Sequence, residues 1–220
     1  MKITHLGHSC VLVESLGTRI LIDPGAFTHG FVELTDLDAV LVTHQHQDHL
    51  DVERLPMLLE ANEQAQLITE AEVATELEKV GIDARPLHVG DQVQVGAVEL
   101  TGVGGIHAEI HVDIPRIGNT GLVLRADGEP TFFHPGDAYA AVPSGVDVLG
   151  VPLNAPWAKV SETIDFVRAV SPGRFFPMHD ALLDPLGRGL YLRVLGGLLP
   201  DGAELIDLAG AGPTDFSGNG

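Results

Sequence analysis

His44, His46, Asp48 and His49 put three histidines and an aspartate into six consecutive positions. They follow directly on the apolar run Ala39-Val40-Leu41-Val42, which reads as a short buried strand ending in the cluster. In an extended segment alternate side chains share a face, so His44 and His46 can point at one ion. The chain must then turn, and Asp48 and His49 face a neighbouring position. Neutral imidazoles and a carboxylate are borderline donors, suited to zinc and also to iron or manganese. A solvated polar loop is the plain alternative, but spacing, strand context and residue type together point to metal.

One loop cannot supply all the ligands of a two-metal site. The other candidates also follow apolar strands: His107 after Val103-Gly104-Gly105-Ile106, Asp137 after Phe132-Phe133-His134-Pro135-Gly136, and His179 after Phe175-Phe176-Pro177-Met178. Singly, each is a weak signal and reads more readily as a hydrogen-bonded structural residue. Jointly, ligands at strand ends converge on one sheet edge, where a rigid scaffold can hold them. His111, four residues past His107, is a rival for that position, or else a residue that supports a ligand or meets the substrate. Asp23, before Pro24-Gly25, either shapes a turn or holds a ligand histidine by its other ring nitrogen. His8 and His134 are similar cases. Trp157 and Lys159, and also Arg116, are candidates to line a pocket and meet an anionic group. Asp48 is the candidate proton acceptor.

These residues need strands to carry them. Residues 3–14 and 19–23 read as strands, as do 39–42, 66–69, 92–95, 98–103, 120–125, 131–134, 146–151 and 174–177. Asp127-Gly128 supplies a hairpin turn. Helices are expected within 52–62 (Pro56 at the first helical position), over 71–80 with Gly81 closing it, from Ser161 as cap to about 170, and over 189–199. Each half runs strands and then β-α-β-α, which fits two sheets packed face to face with helices outside. Residues 1–210 read as one domain without a linker, and 211–220 as a flexible tail.

The bulk numbers narrow the partners. Twelve basic against thirty-one acidic residues in 220 give a net charge of −19. Such a surface repels nucleic-acid phosphates and anionic lipid. The one cysteine, Cys10, excludes an internal disulfide and fits a cytoplasmic protein, with the thiol a small buried hydrophobe. No apolar run reaches membrane-spanning length and the N-terminus lacks a leader pattern. An Ala/Gly/Leu-rich C-terminal segment leaves a homo-oligomer open.

The H-x-H-x-D-H string resembles the signature of the metallo-β-lactamase superfamily. Asp23, the 44–49 cluster, His107, Asp137 and His179 resemble its five motifs in order. Leu6-Gly7-His8-Ser9-Cys10, Ile20-Leu21-Ile22-Asp23-Pro24 and Phe133-His134-Pro135-Gly136-Asp137-Ala138 carry a narrower likeness. So does Val148-Leu149-Gly150-Val151-Pro152 ahead of Pro177-Met178-His179. This likeness is to compact bacterial metal-dependent hydrolases related to L-ascorbate-6-phosphate lactonase. The resemblance implies an α/β fold, a four-layer αββα sandwich of two mixed sheets with the metals at one edge. It implies that His44, His46 and His107 hold one divalent ion and Asp48, His49 and His179 a second, with Asp137 bridging. Zinc is the first choice, manganese or iron the alternatives. His107 is preferred over His111 because it directly follows the strand and the glycines.

The expected activity is hydrolysis of a small ester-like substrate (a lactone, phosphorylated metabolite or phosphodiester) by a hydroxide bridging the two ions. The rivals are a mononuclear iron oxygenase on the same fold and a non-catalytic metal-binding module. Nucleic-acid cleavage is disfavoured by the charge.

Overall fold

The structure, a computed structural model, describes residues 1–200 and 202–217. Two seven-stranded mixed sheets form its centre. The first is built from β1 (Lys2–Gly7), β2 (Cys10–Ser15), β3 (Thr18–Ile22), β4 (Ala39–Val42), β5 (Gln66–Glu70), β6 (Arg85–Leu87) and β14 (Thr214–Asp215), in the order β14-β1-β2-β3-β4-β5-β6. The second is built from β7 (Gln92–Val95), β8 (Val98–Gly104), β9 (Thr120–Arg125), β10 (Phe132–His134), β11 (Val148–Pro152), β12 (Arg174–Met178) and β13 (Glu204–Leu205), and runs in the order β13-β12-β11-β10-β9-β8-β7. Each sheet is antiparallel at one side and parallel at the other: β3 to β6 and β10 to β13 run parallel.

The period-2 alternation of the strands explains why the sheets pack in pairs and still need helices. Ile20, Ile22, Ala39 and Leu41 face the second sheet, where Leu100, Leu122, Phe132 and Phe176 meet them in one core. Their neighbours Leu21, Val40 and Val42 point outward, under α1 (Leu55–Glu60) and α2 (Ala71–Glu78). Phe133, Leu149 and Phe175 likewise point outward, under α3 (Val160–Val170) and α4 (Pro185–Gly196). The result is the expected αββα sandwich.

Several boundaries differ from expectation. Residues 3–14 are two strands, because Gly7 and His8 take positive φ and fold the chain back. Pro56 is the second helical residue. In α3, Ser161 lies inside the first turn and does not cap it: the helix starts at Val160, and Glu162 Oε2 accepts the Lys159 N–H. α4 starts at Pro185, not 189, since Asp184 Oδ1 accepts the Gly187 N–H and Pro185 suits the first turn. The flexible tail is corrected for residues 214–216: Lys2 and Ile3 pair with Asp215 and Thr214, and Phe216 is fully buried in the inter-sheet core. Positions 218–220 lie outside the described residues. Among the described residues no helix is long and apolar enough to cross a membrane.

Candidate metal centre

The strand directions bring six C-terminal ends to one edge. β1, β3 and β4 end there in the first sheet, just before His8, Asp23 and His44. β8, β10 and β12 end there in the second, ahead of His107, Asp137 and His179. The turns are tight enough to need glycine at two points. A Cβ on Gly25 would overlap the Asp48 carbonyl, so glycine lets the 23–25 turn press against the 48–49 peptide. Gly136 has φ +63°, and a Cβ there would overlap the Asn119 amide that fixes Asp137.

Two groups of side chains converge. His44, His46, His107 and Asp137 form one, and His8, Asp48, His49 and His179 the other; within each, one potential ligand atom per residue lies within 4.8 Å of the rest. Asp137 lies between the groups. Its Oδ1 is 3.1 Å from His49 Nε2, and its Oδ2 is 3.2 Å from His179 Nε2 and 3.5 Å from His107 Nε2.

The ring nitrogens of His44, His49, His107 and His179 that face away from this centre are used. His49 Nδ1–H donates to Asp23 Oδ2 at 2.6 Å, His107 Nδ1–H to the Ala108 carbonyl at 2.7 Å, and His179 Nδ1–H to the Asn154 carbonyl at 2.7 Å. Thr43 Oγ donates to Asp23 Oδ2, so the proton between Thr43 Oγ and His44 Nδ1 belongs to the imidazole. These tautomers follow from the hydrogen-bond network. Every one leaves an Nε2 lone pair aimed inward. The Nε2 atoms of His44, His49, His107 and His179, with Asp137 Oδ1, are buried without a hydrogen-bond partner. The close approaches to Asp137 lack hydrogen-bond alignment. Buried orphan acceptors are costly, and four on a common centre fit a divalent cation.

The electrostatics follow from burial and the carboxylates. Burial holds His44 well below the ordinary histidine range and depresses His46 and His8. Burial is the largest single influence on His49 and His179 and acts to lower both, but the carboxylates around them, Asp137 foremost, together outweigh it. Asp23 adds to the effect on His49 and Asp48 to that on His179. His49 rises well above its usual range and His179 to about 9. Asp137 is fully buried, yet His49 and His179 press it well below the carboxylate range. At Asp48 the nearby His179 imidazole and the His8 hydrogen bond overcome burial and act in the same direction.

The candidate residues sort cleanly. His44, His46, Asp48, His49, His107, Asp137 and His179 are together at the centre. Asp23 is fully buried and holds His49. His8 accepts the Ala181 N–H on Nδ1, so its Nε2–H donates to Asp48 Oδ2 at 3.0 Å and orients that carboxylate. His134 does not face the centre: Nε2 reaches the Ser9 carbonyl and Nδ1 accepts the Gly136 N–H. His111 is exposed and accepts the Asp113 N–H, away from both groups. Trp157 Nε1–H donates to Asp137 Oδ2 at 2.9 Å. Lys159 is exposed, 3.8 Å from Glu162. Arg116 gives Nε and Nη2 to the His107 carbonyl.

Sequence reasoning missed Thr43, Asn119 and the Asn154 carbonyl. Asn119 bridges the Asp137 N–H and the Pro135 carbonyl, and nothing in its local sequence marks it.

Residues 2–179 match the model of the β-lactamase superfamily domain. The chain belongs to the metallo-β-lactamase superfamily. The protein Rv0786c of Mycobacterium tuberculosis is 47% identical over 192 residues, covering 87% of this chain and 89% of that one. A UPF0173 metal-dependent hydrolase of Alkaliphilus metalliredigens is 28% identical over 193 residues, covering 81% and 85%. Among solved structures, Igni18, a metallo hydrolase of Ignicoccus hospitalis, is 19% identical with a TM-score of 0.70 and covers 98% of both chains. That likeness confirms the fold. The enzyme class expected from the sequence, a hydrolase of this superfamily, is the one named for the Alkaliphilus metalliredigens relative.

Proposed function

We propose that the protein is a dinuclear metal-dependent hydrolase of small ester-like substrates. The observation that carries this reading is the set of four orphaned, buried Nε2 atoms around Asp137, divided between two adjoining groups. His44, His46 and His107 would hold one ion and Asp48, His49 and His179 the other, with Asp137 shared. Bound there, two divalent ions supply a hydroxide at neutral pH and polarise the scissile carbonyl.

The chain's own residues do the rest. Asp48 Oδ2 is held by His8, and among the described residues its Oδ1 has no hydrogen-bond partner and is free to take a proton from water. Asp23 and Thr43 keep His49 and His44 in the tautomer that presents Nε2 inward. The β1–β2 bend and the loops after β8 and β10 shield the centre, which leaves the ligand histidines other than His46 buried. Zinc is our first choice of metal on donor type. A small molecule as substrate, rather than RNA or DNA, follows from the −19 charge. The cytosol follows from the single cysteine, which is buried and unpaired.

The test is metal quantification after dialysis, with a hydrolysis screen of lactones, carboxylic esters and phosphate esters. Two equivalents per chain with ester turnover are expected. One equivalent at saturation, unchanged by His179→Ala, refutes the dinuclear reading and favours the mononuclear iron alternative. Two equivalents with no turnover favour a non-catalytic module.

A further inference from the structure

A cleft of about 780 Å³ opens beside the metal centre. Ala108 and Ala138, next in sequence to His107 and Asp137, lie on its wall, and Trp157 joins it to Asp137 through the Nε1–H···Oδ2 bond. Tyr139 and Phe166 continue the lining beside Trp157 as a fixed aromatic patch. The Tyr139 ring stacks on Phe166 at 4.7 Å and meets Trp157 edge-on at 4.8 Å. The Tyr139 hydroxyl is spent on the Pro152 carbonyl and Thr163 Oγ. The wall therefore offers apolar rings rather than a free phenol.

The charges on this cleft are the wrong sign for a phosphate. Glu109, Glu162 and Asp165 line it, against Arg116 and Lys159. Both cations already have partners: Arg116 is fixed on the His107 carbonyl and Lys159 stands near Glu162. Among the described residues Glu109 and Asp165 have no ion-pair partner. Three carboxylates against two cations leave the cleft net acidic, in a chain of net charge −19.

We propose that this cleft receives an uncharged, apolar arm of the substrate, so that the substrate class is a neutral carboxylic ester or lactone rather than a phosphorylated metabolite. The inference rests on the hydrolase reading above and names its substrate class. Hydrolysis adds water across the acyl C–O bond. The acyl carbon keeps the hydroxyl, the alcohol oxygen takes the proton, and no redox partner is required. Trp157 is then a specificity residue with two contacts, its ring on the arm and its N–H on the Asp137 carboxylate.

The experiment uses the metal-loaded full chain. Two series of esters lengthen first the acyl arm and then the alcohol arm. A burying cleft raises kcat/KM about three- to fourfold per added methylene in one of them, until the cleft is full. A matched pair carries a hydroxyl or a phosphate at the far end of that arm, with the ester group unchanged. The hydroxyl member is favoured by roughly tenfold or more at low salt, and the ratio narrows in Glu162→Gln/Asp165→Asn. Trp157→Ala flattens the dependence on arm length, whereas Trp157→Phe keeps it. Trp157 is the single tryptophan of the chain, so its fluorescence reads binding of non-hydrolysable amide counterparts without turnover. Equal or better use of the phosphorylated member, or no dependence on arm length in either series, overturns the proposal. If the amides show the neutral preference but no ester is cleaved, the hydrolase reading falls and the cleft assignment stands.

Discussion

Asp23→Asn should weaken metal binding in both groups, although Asp23 belongs to neither. Three donors converge on this fully buried carboxylate: Thr43 N–H on Oδ1 at 2.8 Å, and Thr43 Oγ–H at 2.7 Å and His49 Nδ1–H at 2.6 Å on Oδ2. Asparagine has one acceptor and one donor end. With its oxygen at the Oδ2 position, its amide faces the Thr43 N–H and orphans a buried donor, at about 1–3 kcal/mol. With the oxygen at Oδ1, the amide faces Thr43 Oγ and His49 Nδ1, and both must turn acceptor. His49 then carries its proton on Nε2. Thr43 Oγ now donates to His44 Nδ1, which moves that proton to Nε2 as well. One ligand in each group is lost by the same rearrangement.

Outer hydrogen-bond partners of metal ligands are worth about 10–100-fold in affinity, so each site should weaken by roughly 1.4–2.8 kcal/mol. Chelator competition reads the affinities, and long-range ¹H–¹⁵N spectra of the imidazoles read the tautomers. Thr43→Val is the control: it removes the route to His44 and leaves the His49 bond. Affinities within threefold of the parent at both sites in Asp23→Asn, or His49 still protonated on Nδ1, would refute this reasoning.

Four further outcomes follow. Asp48→Asn should lower kcat by on the order of a hundredfold or more, the scale of general-base removal, and near-normal turnover would remove Asp48 from the chemistry. His107→Ala should strip metal while His111→Ala leaves it bound, since His107 is buried at the centre and His111 is exposed; elemental analysis of the two variants decides. Metal loading at pH 7.5 should release protons, because His49 and His179 are raised and carry protons in the metal-free chain. Apparent affinity then rises with pH through about 9, and the stability His179 gives the metal-free chain, full below its unfolded value, is lost over the same rise; a pH-stat titration showing no release contradicts the ligand roles. Chelation should lower Tm: a site loaded at a thousand times its Kd contributes about 4.1 kcal/mol, roughly 8–16 °C for a chain of this length, and calorimetry showing under 2 °C would count against a built site.

The sequence showed the candidate ligands that share a strand end and those that follow an apolar run. His44, His46, Asp48 and His49 could be read as one object because β4 and its turn are local. His107, Asp137 and His179 could only be nominated, since their convergence depends on the register of two sheets. The preference for His107 over His111 rests on a detail visible in the sequence, the strand end and glycine pair Gly104-Gly105 just ahead of His107. Local sequence failed where a partner lies far along the chain. Asn119 acts on Asp137 from another loop, and the Asn154 carbonyl orients His179 by backbone alone. The tail was misread for the same reason. Gly210, Gly212 and Pro213 look like chain-end punctuation, yet Phe216 two residues beyond Thr214 fills the inter-sheet core and the Phe216 N–H reaches the Met1 carbonyl.

The backbone at the site carries its own cost, and the pattern of that cost explains how two sheets make one centre. Among the described residues six non-glycine residues have positive φ, and three of them are His8, Asp23 and His179. Such conformations cost about 1–3 kcal/mol each and persist only where surroundings over-determine them. Asp23 is fixed by its three donors. His8 and His179 fix each other: the His179 N–H donates to the His8 carbonyl at 2.6 Å, and their rings pack at 3.9 Å. One belongs to the β1–β2 bend of the first sheet and the other to the end of β12 in the second, so the strained pair is a clasp between sheets. Asp48 closes that clasp, with Oδ2 3.0 Å from His8 and 3.3 Å from His179. An ion held by Asp48, His49 and His179 would therefore bind across the sheet boundary. Its loss would loosen the joint between the sheets before it touched the core of either one.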